Sequence, residues 1–141
     1  MSFGIISHAD GFRKVALRCN EQRQVDNFTI EWLPIQGTIN AAFACELYLK
    51  SILKSKKGYT NNQLRKLKHN LNDIYSELPD EIKSKLERSV DTSKLLDISN
   101  AFVNWRYLYE DIQSKMHDDN KFICELMDLL YEITRSYCDV R

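Results

Sequence analysis

The stretch Ile39-Asn40-Ala41-Ala42-Phe43-Ala44-Cys45-Glu46-Leu47-Tyr48-Leu49-Lys50-Ser51-Ile52-Leu53-Lys54-Ser55 is apolar or small around most of a helical wheel. At about 100° per residue, Ile39, Ala42, Phe43, Leu49 and Leu53 share one broad face. Cys45, Leu47 and Ile52 flank that face, and only a narrow strip near Asn40, Ser51 and Lys54 is polar. A helix this apolar all round is buried on most sides, so it is expected at the centre of a bundle. Gly58 supplies a stop, and Lys54, Lys56 and Lys57 complement the negative end of the helix dipole.

Upstream, Ser7 to Val25 reads as a first helix carrying Phe12, Val15, Ala16 and Cys19, turning polar after Cys19. Asn27 to Thr38, with Trp32, Pro34 and Gly37, reads as an apolar loop that packs down on the bundle. Downstream, Gly58 to Lys68 is a basic connector with one helical turn at Asn62 to Lys66. Asn70 caps a short helix through Leu78, Pro79 ends it, and Asp80 to Ser89 follows as a polar helix. Thr92 or Ser93 caps a longer helix to Ser114 with Leu95, Ile98, Phe102, Trp105 and Tyr109 inward. Asp118 or Asp119 caps the last helix, which carries Phe122, Leu126, Leu130, Ile133 and Tyr137. The expected architecture is one all-α domain over residues 1–141, about five helices packed up and down around the second.

Composition agrees. The 141 residues hold 20 basic and 20 acidic side chains, with 43% hydrophobic and 28% charged residues, which suits a globular core and excludes disorder. Four Gly and two Pro are too few for a turn-rich β domain. No apolar run approaches ~18 residues, so no membrane span is expected. The opening Met-Ser-Phe-Gly-Ile-Ile-Ser-His lacks the basic and long apolar regions of a signal peptide, which points to the cytoplasm. Cys19, Cys45, Cys124 and Cys138 are widely spaced among apolar neighbours and read as reduced core thiols. No metal site and no cofactor is expected.

A few residues break the pattern. Glu46 and Lys50 are four apart, in the order that favours an intrahelical ion pair, yet they fall inside the apolar face. Charges there are costly unless paired. Arg106 lies about 40° from Phe102 on an equally apolar face, with Glu110 one turn further on. These are either structural pairs whose stems pack while their ends reach water, or charges aimed at one polar pocket able to bind an anion. His69 either packs beside the cap at Asn70 or faces that same pocket. His8 and His117 have no recognisable partner.

Charge is unevenly spread. Between Leu47 and Asn72 stand seven basic residues (Lys50, Lys54, Lys56, Lys57, Arg65, Lys66, Lys68) and no acidic one; Glu110 to Glu132 holds seven acidic and two basic. The basic run, interleaved with Tyr59, Asn61, Asn62 and Gln63, either tracks a phosphate backbone or is a solvated helix end.

Three segments resemble the HEPN-domain superfamily of prokaryotic helical-bundle proteins. Ala42 to Leu53 is similar to the family's second helix, with its Glu-x-x-x-Lys-x-x-Leu core at Glu46, Lys50 and Leu53. Lys68-His69-Asn70-Leu71-Asn72-Asp73-Ile74-Tyr75 is similar to a Gly-His-x-Leu-x-x-Leu-Tyr segment, with Lys68 in place of the Gly. Phe102-Val103-Asn104-Trp105-Arg106-Tyr107-Leu108-Tyr109-Glu110 is similar to the Arg-Tyr segment of a later helix. The order and spacing fit from Thr38 to Glu110. The resemblance implies a helical bundle with a polar pocket formed by Glu46, Lys50, His69, Arg106, Tyr107 and Glu110. Nuclease members use an Arg-x(4–6)-His motif, often paired across a dimer, to cleave RNA without metal. From Arg106 that His falls at 111, 112 or 113, where this chain has Asp111, Ile112 and Gln113. The nuclease motif is absent.

The first functional expectation is therefore a non-catalytic module that binds RNA, a nucleotide or a cognate protein. It would act as a homodimer in a phage-defence or toxin–antitoxin setting, with Lys54, Lys56, Lys57, Arg65, Lys66 and Lys68 contacting phosphates. The second is a metal-independent ribonuclease with a rearranged site, His69 as general acid/base and Arg106 with Lys50 stabilising charge. The third is a structural assembly protein.

Overall fold

Seven helices and a two-stranded hairpin make up the described parts of the chain in a computed structural model, residues 3–103 and 113–137. In order they are α1 (Phe3–Cys19), β1 (Arg23–Gln24), β2 (Ile30–Glu31), α2 (Pro34–Lys57), α3 (Asn61–Lys66), α4 (Leu71–Ser76), α5 (Asp80–Ser89), α6 (Lys94–Val103) and α7 (Gln113–Tyr137). The chain is mostly helical, and α2 is its centre. It packs against α1 on one side and α7 on another, and touches α4, which leans on α6. None of the helices is long and apolar enough to cross a membrane, among the described residues.

The sequence explains why α1 and α2 lie so close. Ala9 and Ala16 of α1 and Ala41, Ala42 and Ala44 of α2 are all buried, so small side chains meet along the seam. The inward face of α1 is Ile6, Ala9, Phe12 and Ala16, whereas Val15, expected inward, is exposed because the stripe drifts past it at helical pitch. Beyond the seam, Tyr48, Leu49, Ile52 and Leu53 of α2 meet Ile123, Leu126, Met127 and Leu130 of α7 in one core. Ser51, expected on a polar strip, is fully buried, and its hydroxyl donates to the Tyr48 carbonyl at 2.8 Å. The second half of α2 thus has no solvent strip there, and the hydroxyl is satisfied within the helix.

Several boundaries differ from the sequence reading; α1 starts at Phe3 rather than Ser7, and α4 ends at Ser76 rather than Leu78. α1 ends at Cys19 rather than Val25, and its polar tail becomes the hairpin, with Arg23 opposite Glu31 and Gln24 opposite Ile30. The Leu33 amide donates to the Cys19 carbonyl at 3.1 Å and closes the hairpin's base. α2 starts at Pro34, not Ile39, because Pro at a first helical position needs no partner for its missing N–H. Gly37, read as a loop marker, sits inside α2 where a Cβ would lie 2.7 Å from Asn20 Oδ1. α7 starts at Gln113, so Asp118 and Asp119 are interior positions and not caps; no Gly or Pro interrupts residues 113–118.

Other local signals act as expected. Gly58 ends α2 in the left-handed conformation at φ 67°. Thr60 and Gln63 form a capping box on α3, and the Asn70 side chain accepts from the Asp73 amide at the start of α4. Trp105, Arg106, Tyr107, Tyr109, Glu110 and Cys138 lie outside the described residues.

Candidate functional site

The charged residues of α2 find their partners at the α3–α4 turn. The two oxygens of Glu46 are engaged separately: Oε2 accepts from Lys50 Nζ at 3.1 Å, and Oε1 lies 2.9 Å from His69 Nδ1. Lys50 Nζ also donates to the Lys68 carbonyl at 2.8 Å. Burial is graded across the group, the side chains of Glu46, Lys50 and His69 being 6%, 11% and 67% exposed. A buried carboxylate and a buried ammonium are therefore paired and hydrogen-bonded, the condition under which burying them is tolerable. Among the described residues no buried side-chain nitrogen or oxygen lacks a partner.

The turn itself is strained. Lys68 has φ 53°, the one described residue other than Gly in the left-handed region, where a Cβ crowds the following carbonyl. Lys50 holds that conformation through the Lys68 carbonyl. The turn in turn presents His69 to Glu46. With Glu46 ionised, a neutral imidazole must carry its proton on Nδ1 to make this bond, which leaves the Nε2 lone pair directed away from the carboxylate.

The remaining cations of the basic run surround this turn and the end of α2. Lys54 Nζ donates to Asn61 Oδ1 at 3.1 Å, Lys57 Nζ to the Glu77 carbonyl at 2.7 Å, and Arg65 to Asn62 Oδ1 at 3.2 Å. Lys56, Arg65, Lys66 and Lys68 are exposed. The anchors of Lys54, Lys57 and Arg65 are neutral amide and carbonyl oxygens. Lys54, Lys57, Arg65, Lys66 and Lys68 have no carboxylate partner among the ion pairs of the described residues, Arg13–Asp128, Arg23–Glu21, Lys50–Glu46, His69–Glu46 and Arg135–Asp10.

No protein-family model, curated protein or solved structure matches this chain.

The structure thus brings together Glu46, Lys50 and His69 of the expected pocket, while Arg106, Tyr107 and Glu110 lie outside the described residues. The sequence reading missed the Lys68 carbonyl, because a backbone acceptor leaves no mark in a pattern of side chains. It also missed two polar networks elsewhere. At one, the Tyr48 hydroxyl donates to Asp10 Oδ1 at 2.5 Å while Arg135 holds Oδ2 at 2.7 Å. Burial, and then the bond to Asp10, push the Tyr48 hydroxyl well above its usual range. Arg13 and Arg135 lie 4.1 and 4.4 Å from the ring centre of Tyr131 beside it. At the other, Asn120 Nδ2 reaches Asn20 Oδ1, Thr38 Oγ1 and the Pro34 carbonyl, joining α7 to both ends of the α1–α2 connection. A buried Tyr in a helix that is otherwise apolar signals the first, since its hydroxyl needs a partner.

Groups of three or more metal-ligating side chains are absent among the described residues. Cys45 is fully buried and Cys124 half-buried, and burial raises both thiols, keeping them protonated. An open hollow of about 270 Å³ lies between the α5–α6 turn and α7, lined by Asp91, Lys94, Lys121, Phe122 and Glu125 among others. It contains none of the candidate site residues read from the sequence.

Proposed function

We propose that this chain is a non-catalytic, HEPN-like module that binds the phosphate backbone of RNA at the basic end of its bundle. One observation carries the reading: Lys54 and Lys57 at the end of α2 and Arg65 on α3 rest on neutral acceptors. Arg65, Lys66 and Lys68 have no ion-pair partner among the described residues, so their charge is available to phosphates. The HEPN resemblance draws support from Lys68, whose left-handed φ falls where the family carries Gly. A place in prokaryotic defence or a toxin–antitoxin pair rests on that resemblance alone.

A second reading is a metal-independent ribonuclease, favoured by the Glu46–His69 contact, which orients an exposed imidazole as a general base would be oriented. Incubating labelled RNA with the protein in EDTA, beside the His69→Ala variant, separates the two. The binding module retains RNA in both proteins and cleaves it in neither. Cleavage that vanishes in the variant replaces the first reading by the second.

A further inference from the structure

His69 differs from His8 in what holds its ring. Its Nδ1 lies 2.9 Å from Glu46 Oε1, and the carboxylate is buried while the imidazole is open to solvent. His8 is also exposed, on α1, and no carboxylate meets its ring in the ion pairs of the described residues. Glu46 is held in place from its other side. Lys50 Nζ fixes Oε2 at 3.1 Å, and the Lys68 carbonyl fixes Lys50 at 2.8 Å.

A fixed carboxylate on Nδ1 does two things to an imidazole. It sets the tautomer that leaves the lone pair on Nε2, and it compensates the positive charge that the ring acquires when Nε2 forms a bond. A nucleophilic histidine needs both. The neighbours of His69 select the electrophile. Lys66 and Lys68, just before it in the chain, are exposed and have no ion-pair partner among the described residues. Two unneutralised cations favour an anionic reagent, and a phosphoryl group is an electrophile that is itself anionic.

We propose that His69 is a phosphoryl-acceptor site, taking a phosphoryl group on Nε2 from a phosphoramidate donor, whose phosphorus is bonded to nitrogen. The Nε2 lone pair attacks phosphorus, and the new N–P bond forms as the donor's N–P bond breaks. The donor nitrogen leaves with the bonding pair as a neutral amine. It is already protonated in the donor, so no further acid is needed. The ring keeps its Nδ1 proton and becomes cationic, and Glu46 faces that charge. Nothing is oxidised or reduced. The attached phosphoryl group brings about two negative charges to a turn that carries Lys66 and Lys68. It therefore opposes RNA at the same surface. That consequence rests on the proposed function, whereas the acceptor site does not.

Treating the protein with potassium phosphoramidate at about pH 8, where imidazoles are ordinarily neutral, tests the proposal. Peptide mass spectrometry follows each histidine with time, and phosphorus NMR identifies the nitrogen that is modified. The expected result is one phosphoryl group on His69 Nε2, added about ten times faster than to His8, which corresponds to about 1.4 kcal/mol in the barrier. Glu46→Gln should slow His69 to the rate of His8, with the fold checked by circular dichroism. The comparison of His69 with His8 inside the native protein decides the matter even if that variant does not fold. His69 reacting no faster than His8, or reacting at Nδ1, overturns the proposal. So does a fast rate that survives Glu46→Gln in a folded protein, since the carboxylate is then not what activates the ring. RNA binding is read separately by anisotropy, where the phosphorylated protein should show a salt slope flatter by about 1.4, the loss of two single-strand contacts. A native protein that binds no RNA overturns the proposed function, while the phosphorylation rates still decide the acceptor site.

Discussion

At Glu46 one carboxylate serves two partners at once, and the cost of removing it follows from what it leaves behind. Glu46→Ala strands the Lys50 ammonium at a buried position with only the Lys68 carbonyl beside it. Leaving one member of a buried pair uncompensated costs about 3 kcal/mol, which urea unfolding should register. A change within ~0.5 kcal/mol would mean that Lys50 simply swings to water. Lys68 predicts the opposite sign. Its left-handed backbone costs an ordinary side chain about 1–2 kcal/mol, against about 0.5–1 kcal/mol of extra chain entropy lost by Gly on folding. Lys68→Gly should therefore stabilise the protein by about 0.5–1 kcal/mol in the same assay. Tyr48 gives a pH signature. Its hydroxyl titrates higher in the folded chain than the ordinary 10.0, so the native state retains a proton that the unfolded state releases. Its contribution is complete below pH 10 and declines as pH rises above it. Urea unfolding between about pH 9 and pH 11 should show a steeper loss of stability in the native protein than in Tyr48→Phe. Of these residues, Glu46 and Lys50 were legible because they interrupt an apolar stripe. The strain at Lys68 was not legible in the residue itself, since Lys is a normal residue in a basic turn; its one mark was the Gly that the resembled segment carries there.

At the scale of elements, periodicity placed the centre of α2 and misplaced its start. Wheel positions identify a buried face from several residues at once, so one deviation such as Val15 does not disturb it. A boundary depends on a single junction, and here Pro34 and Gly37 carry two opposite meanings. Pro breaks a helix interior yet begins one, and Gly marks turns yet also admits a close neighbour. The neighbour is Asn20, whose amide bonds Asn120 through one atom and Cys124 through the other. Gly37→Ala therefore sets two effects against each other. Helix propensity favours Ala by about 0.8–1 kcal/mol. The added Cβ, 2.7 Å from Asn20 Oδ1, displaces that side chain and its half-buried hydrogen bonds, at about 1–3 kcal/mol. The net expectation is destabilisation by about 1 kcal/mol in thermal unfolding. A stabilised variant would show that Asn20 yields without losing its partners.

For the molecule as a whole, a net charge of zero conceals its organisation. The cations collected between Lys50 and Lys68 contribute nothing to the formal total once the acids elsewhere are counted, yet RNA meets surfaces rather than totals. Lys50 is neutralised by Glu46 and buried, so it offers no contact, and the exposed cations around α3 define the surface. Single-stranded binding that neutralises three to five phosphates gives a log–log salt slope of about −2 to −3.5. Replacing Lys66 and Lys68 by Glu removes two of those contacts and should flatten the slope by about 1.4 as well as weaken binding at low salt. Arg13→Gln, on the α1–α7 side where the guanidinium already pairs with Asp128, should leave the slope unchanged. Sequence should matter little, because phosphate contacts position a strand without reading its bases. Fluorescence anisotropy with a labelled single strand across a salt series measures all of this. A slope near zero in the native protein would remove the basic end as the contact surface, and with it the observation on which the proposed function stands.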